Sequence, residues 1–173
     1  MSVVAVKKTE KKIKIAADSI VVCGWTRVEK TTKMAKLFEV NGMIIGSVGL
    51  ASEGLLLENF ALTRQPYQAT EREVLNFFVD FNKYLTTELG MNKYSNSYIL
   101  CYKGKAFLID ADLFISEIKD YAAIGAGQDY SLAALHLGHS AKEAVAVACE
   151  LCAFVAQPII EYEMKIENEE ETV

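Results

Sequence analysis

The sequence has no apolar run approaching the ~20 residues that span a bilayer, and it opens without the basic start, apolar stretch and small-residue cleavage site of a secretory leader. Both absences point to a cytoplasmic protein with no membrane partner. A basic surplus is also missing: 18 Lys and Arg against 23 Asp and Glu leave a net charge of -5, so no electrostatic footprint for nucleic acid exists. Four cysteines, Cys23, Cys101, Cys149 and Cys152, are too few for a disulfide scaffold. The Cys149-x-x-Cys152 pair falls in a helical pattern with no second pair to complete a metal site, and the thiols read as buried and inert. The two histidines, His136 and His139, flank Gly138 and read as surface or cap residues. No G-x-S-x-G elbow is present, and Gly125-Ala126-Gly127 lacks the third glycine of a dinucleotide loop.

What is present is an apolar share of 51% over 173 residues, enough for one sizeable core. Residues 1–166 read as a single domain and 167–173, ENEEETV, as a solvated acidic tail. Val3 to Val6 is apolar at every position, the mark of a strand covered on both faces. A charged turn over Lys7–Lys12 returns the chain as a second strand, Ile13 to Asp18. After a polar stretch to Lys33, LFEVNGMIIGSVG reads as strand, Asn41-Gly42 turn and strand, and Met43 to Ile45 is again apolar without alternation.

Residues 51–62 carry Leu55, Leu56, Leu57, Phe60 and Ala61 at helical spacing. Thr70 with Glu73 caps a longer helix whose stripe is Val74, Phe78, Phe81, Leu85 and Leu89, stopped by Gly90. SYILCYKGKAFLIDAD predicts two strands around Lys103-Gly104-Lys105, and 117–124 a further one. A helix opens at Gly125-Ala126-Gly127 and ends by Gly138. Ser140 with Glu143 caps another, striped by Ala144, Ala148, Leu151 and Val155 and stopped by Pro158, before a last alternating strand over 159–166. Doubly buried strands and paired helices predict two stacked, mainly antiparallel sheets with helices outside each, a four-layer αββα sandwich. Taken alone, Asp18 reads as a strand-end carboxylate, Lys33 as a surface lysine, and Gly46 with Gly49 as a tight turn before a helix.

The order of VVAVKK, IAADS, Lys33 followed by KLF, GSVGLASEG and AIGAGQDYSLAA resembles the proteasome β-subunit family, most closely its bacterial branch, HslV. The resemblance runs over about 3–160 and implies a sandwich of the N-terminal-nucleophile hydrolase type. The activity it implies is peptide hydrolysis by the hydroxyl and free α-amine of the first mature residue, the amine serving as base because its pKa of about 7.7–8 lies near neutrality. It further implies that Asp18 holds Lys33, whose charge favours the neutral amine and the developing alkoxide, and that Gly49 donates an oxyanion N–H. Ser47 and Ala51 would line the substrate pocket.

The nucleophile has two registers. Alignment through Val3–Val6 places Met1 at that position, whereas the family's spacing back from Asp18 places Ser2 there, exposed by methionine removal. One residue of shift turns a strand side chain to the opposite face. Ala126 stands where the family commonly has a serine that assists the amine, leaving the relay to water or backbone. Partners implied are further copies of the chain in a ring, an AAA+ unfoldase ATPase, and protein or peptide substrates. No cofactor is needed for the chemistry, and a structural monovalent or divalent cation on main-chain carbonyls near Cys149, Cys152 and Val155 is a family trait. The second functional class is a catalytically inactive shell or interaction subunit of the same fold.

Overall fold

The computed structural model describes residues 2–23, 26–27 and 36–166. Strand β1 (Val3–Lys8) pairs with β2 (Lys12–Asp18) across a tight turn closed by Thr9 N–H to Lys12 C=O at 2.8 Å. A short ribbon, β3 (Val22–Cys23) and β4 (Thr26–Arg27), follows. Strands β5 (Leu37–Val40) and β6 (Met43–Val48) meet at the Asn41-Gly42 turn, where both residues adopt positive φ. Helices α1 (Ala51–Ala61) and α2 (Glu71–Lys83) come next. Strands β7 (Ser97–Tyr102), β8 (Lys105–Ile109), β9 (Ile115–Glu117) and β10 (Tyr121–Gly125) precede α3 (Gln128–His136), α4 (Ala141–Leu151) and β11 (Ile159–Lys165).

Two antiparallel sheets result, ordered β10-β1-β2-β11 and β5-β6-β7-β8-β9. The pleat of β1 explains its unbroken apolar run. Val4 and Val6 pack between the sheets against Ile44, Ile99 and Cys101, while Val3 and Ala5 face Ala144 and Ala148 of α4. Outside the other sheet, Leu57 and Phe60 of α1 join Val74, Phe78 and Phe81 of α2 over Met43, Tyr98 and Phe107. The four layers are therefore α3/α4, four strands, five strands, and α1/α2, as the pattern predicted. Among the described residues no helix is long and apolar enough to cross a membrane.

Three sequence expectations are corrected. Residues 117–124 are not one strand: β9 pairs with β8 in the five-stranded sheet and β10 pairs with β1 in the other. Residues 118–120 carry the chain between the sheets, pinned by Ile118 N–H on Ala106 C=O at 2.8 Å and Lys8 N–H on Asp120 C=O at 2.6 Å. Leu89 is 41% exposed rather than on the buried stripe. The last turn of its helix, Tyr84–Glu88, widens to i→i+5 bonding, with Leu89 N–H on Tyr84 C=O at 3.2 Å, and this rotates Leu89 off the stripe. Helix α4 ends at Leu151, well before Pro158, because Cys152 is extended at φ -101° and ψ 120°. Leu151 is consequently exposed, while Val155, beyond the helix, folds back and is buried.

Candidate active site

Asp18 is the last residue of β2, an inner strand of the four-stranded sheet, and is 1% exposed. A buried carboxylate needs hydrogen-bond donors to offset lost hydration, and Asp18 has them on both oxygens. Oδ1 accepts the Val3 N–H at 2.9 Å; Oδ2 accepts Lys36 Nζ–H at 2.7 Å and the Ile20 N–H at 3.2 Å. The Ala156 N–H approaches Oδ2 at 3.5 Å, tying in the segment after α4. Asp18 thus joins β1, β2, the start of β5 and the 152–158 segment.

Lys36 stands directly before β5. Its C=O accepts the Ser47 N–H at 2.8 Å, which fixes its backbone to β6 while its ammonium crosses to Asp18. Burial pushes the Lys36 pKa below the ordinary lysine value of 10.5, and the attraction of Asp18 offsets this only in part. The result is a desolvated cation whose proton is held less tightly than that of a surface lysine.

Ser2 is 4% exposed and precedes β1. The Ser2–Val3 peptide is gripped at both ends: its N–H by Asp18 and its C=O by the Gly127 N–H at 3.3 Å. Gly125, with φ +98°, brings the loop before α3 backbone-to-backbone against Ser2, and a Cβ there would strike the Ser2 carbonyl oxygen. The same Cβ would lie 3.2 Å from Val48 Cγ1, so the start of β1 faces the end of β6 across the two sheets.

That end of β6 leads through Gly49 into α1. Gly49 has φ +132°, a backbone few side chains tolerate, and a Cβ on it would collide with the Asn96 side chain. Ser47 is 7% exposed and its Oγ accepts Asn96 Nδ2–H at 3.1 Å, while Ala51, the first residue of α1, is exposed.

Of the residues singled out from sequence, the structure brings Asp18 to the Ser2–Val3 peptide and places Gly49 on the strand-to-helix turn. Met1 and Lys33 lie outside the described residues, as does 167–173. The described ammonium on Asp18 belongs to Lys36, which sequence reading passed over; its signal was a lysine standing at the first residue of KLF. Asn96 and Glu53, behind the Gly49 turn, were also missed.

The thiols are a partial correction. Cys101 is buried, and burial pushes its pKa up to about 12, but Cys149 and Cys152 are only half-buried. Burial and then the charge of Asp18 push the Cys149 thiol up to about 11, so it is protonated at neutral pH. His136 is exposed, its Nδ1 3.0 Å from the Tyr121 hydroxyl, and His139 lies 3.9 Å from Glu143 Oε2. Among the described residues no three His, Cys, Asp or Glu side chains cluster as metal ligands.

No protein-family model matches the sequence, and no curated protein does. Solved structures match it closely in backbone. The chain is similar to Thiobacillus denitrificans BPH in complex with epoxomicin, with a TM-score of 0.88 at 18% identity over 96% of this chain and 100% of that one. BPH of the same organism also matches at a TM-score of 0.86 and 17% identity, covering 95% and 98%. The eukaryotic HslV of Trypanosoma brucei gives 0.73 at 18%, covering 94% and 99%. The backbone follows those chains over 98–100% of their lengths, so the four-layer sandwich is a fold shared with the HslV-type structure and the two BPH structures.

Proposed function

We propose that the chain is a ring-forming, self-compartmentalised peptidase of the proteasome and HslV kind, cleaving unfolded chains with Ser2 as its N-terminal nucleophile once Met1 is removed. The observation that carries this is the grip of Asp18 on the Ser2–Val3 peptide with Lys36 on the same carboxylate. In the proposed reaction the Ser2 hydroxyl proton passes, through water, to the α-amine as Oγ bonds to the scissile carbonyl carbon. The amine then protonates the departing peptide nitrogen, and water hydrolyses the ester to regenerate Ser2. Lys36, one peptide bond from Ser2 through Asp18, supplies positive charge that favours the neutral amine and the alkoxide. Lys33, to which the resemblance gives this role, lies outside the described residues and stays in the proposal beside Lys36. Gly49 N–H is the oxyanion donor, and Ser47 and Ala51 form the pocket wall.

No cofactor enters this chemistry. A structural cation belongs to the proposal as an occupant of the carbonyls near Cys149, Cys152 and Val155, since the last carbonyls of a helix lack intrahelical partners and residues 149–153 and 155–157 line an open pocket of about 390 Å³. Further copies of the chain, an AAA+ unfoldase and protein substrates are the partners proposed, in the cytoplasm.

A second reading, an inactive shell subunit, is favoured by one observation: Ala126 offers no hydroxyl in the loop that meets Ser2. Hydrolysis of short fluorogenic peptides, measured for the wild type and for Ser2→Ala, separates the two. Turnover lost in Ser2→Ala supports the peptidase; no turnover in either supports the shell. Epoxomicin, carried by the Thiobacillus chain, is a second probe, expected to raise the wild-type melting temperature and to leave Ser2→Ala unchanged.

A further inference from the structure

Helix α1 starts immediately after Gly49, and its N-cap, Leu50, contributes no side-chain cap. The residue before the helix is instead tied down from elsewhere in the chain. Asn96, just ahead of β7 and 1% exposed, meets Leu50 as a neighbouring strand would: Oδ1 accepts the Leu50 N–H at 2.6 Å and Nδ2 donates to the Leu50 C=O at 2.8 Å. These opposite partners dictate which end of the amide is oxygen and which nitrogen. The second Nδ2 proton goes to Ser47 Oγ at 3.1 Å. One side chain therefore touches both sides of Gly49 and closes the space a Cβ on Gly49 would need.

Asn96 is itself anchored. Its N–H donates to Glu53 Oε1 at 2.8 Å, and the same oxygen accepts the Tyr98 hydroxyl at 2.7 Å. Glu53 Oε2 accepts the Ser95 N–H at 2.9 Å and the Ser95 hydroxyl at 3.1 Å. Glu53 is 5% exposed and Tyr98 fully buried, so each bond replaces water that cannot enter. Burial and the Glu53 bond both raise the Tyr98 pKa, which keeps its hydroxyl a donor. A carboxylate in the first turn of α1 also suits the positive end of that helix.

We propose that Asn96, anchored by Glu53, is a positioning residue that sets the direction of the Gly49 N–H and the Ser47 wall, so that turnover depends on a side chain that meets no substrate. The proposal rests on the peptidase reading, in which Gly49 is the oxyanion donor. A glycine at φ +132° has wide freedom of its own, whereas an oxyanion donor works only if it already points at the place where charge develops. Asn96 restricts that freedom by holding the Leu50 backbone on one side and the Ser47 hydroxyl on the other.

The test compares full-length wild type, Ser2→Ala, Asn96→Ala and Asn96→Asp. Asp at 96 still accepts the Leu50 N–H but cannot donate to Leu50 C=O or Ser47 Oγ, and it serves if the alanine variant fails to fold. On a short fluorogenic peptide, Asn96→Asp is expected to lower kcat by about tenfold to a hundredfold with KM within about a factor of two. Amide hydrogen exchange is expected to accelerate at residues 48–52 while β1 and β7 keep their protection. A loss carried by KM with kcat preserved overturns the proposal, and so does unchanged exchange at 48–52. Equal hydrolysis by wild type and Ser2→Ala overturns the parent reading instead. The two failures are distinguishable because exchange is read without turnover.

Discussion

Lys36 Nζ lies 2.7 Å from Asp18 Oδ2, and the other oxygen of Asp18 holds the Val3 N–H at 2.9 Å. A single buried carboxylate so couples a cation to the first peptide of β1. Replacing Lys36 by Met strands a negative charge at a side chain with no exposure. Such a loss costs about 3 kcal/mol in a buried pair, here softened by the remaining N–H donors. Lys36→Met is expected to lower the urea midpoint and, in the peptidase reading, to cut kcat by about a hundredfold. Asp18→Asn combined with Lys36→Met is expected to recover part of the stability and none of the activity, which denaturation and rate measurements on the three variants check.

The pH dependence follows from the direction of the Lys36 shift. Its folded pKa lies below 10.5, so between that value and 10.5 the unfolded chain binds a proton that the folded chain has released. Stability from this group therefore rises with pH across that window and is flat below it. Urea unfolding of wild type and Lys36→Met over alkaline pH checks the sign: the wild-type advantage is expected to grow toward 10.5, and a shrinking advantage would contradict it.

Cys149 sits near both charges of the pair. Its thiol, pushed up to about 11, is expected to react slowly with iodoacetamide at neutral pH and faster as pH approaches that value. Lys36 lowers the Cys149 pKa, so Lys36→Met is expected to slow alkylation further at a fixed pH. Mass spectrometry of the labelled peptide reads this, and faster labelling in the variant would oppose it.

Two apolar residues distinguish core from surface. Phe78 is fully buried, with the Tyr98 ring 5.3 Å and the Phe77 ring 5.4 Å away. Phe78→Ala is expected to cost about 3–5 kcal/mol. Leu151, read from periodicity as part of a buried stripe, is 61% exposed, and Leu151→Ala is expected to stay within about 0.5 kcal/mol. Urea denaturation of both checks the contrast.

The layers were legible because their signals are local. Val3 to Val6 announces a strand covered twice, Asn41-Gly42 a hairpin, and Ser140 with Glu143 closes the reciprocal box its spacing predicts, whereas Thr70 caps its helix through the Glu73 N–H alone. The misplacements arise where tertiary contacts override local pattern. Residues 118–120 switch sheets to satisfy Ala106 and Lys8, and the widened turn at Tyr84–Glu88 rotates Leu89 outward. The site was half legible. From the residues alone Asp18 reads as a strand-end carboxylate and enters the site only through the family resemblance, while the Lys36 ammonium it holds reaches across the fold without a periodic trace. Asn96 and Glu53 were invisible for the same reason: their partners lie more than forty positions away along the chain.

The central claim is that an alcohol and its own α-amine, held over Asp18 and Lys36, perform the chemistry. Intact mass of the protein produced in cells, read beside peptide hydrolysis by the same sample, tests it most directly. The account predicts a species lacking Met1 whose turnover disappears in Ser2→Ala. Full retention of Met1, or hydrolysis equal in wild type and Ser2→Ala, would contradict it.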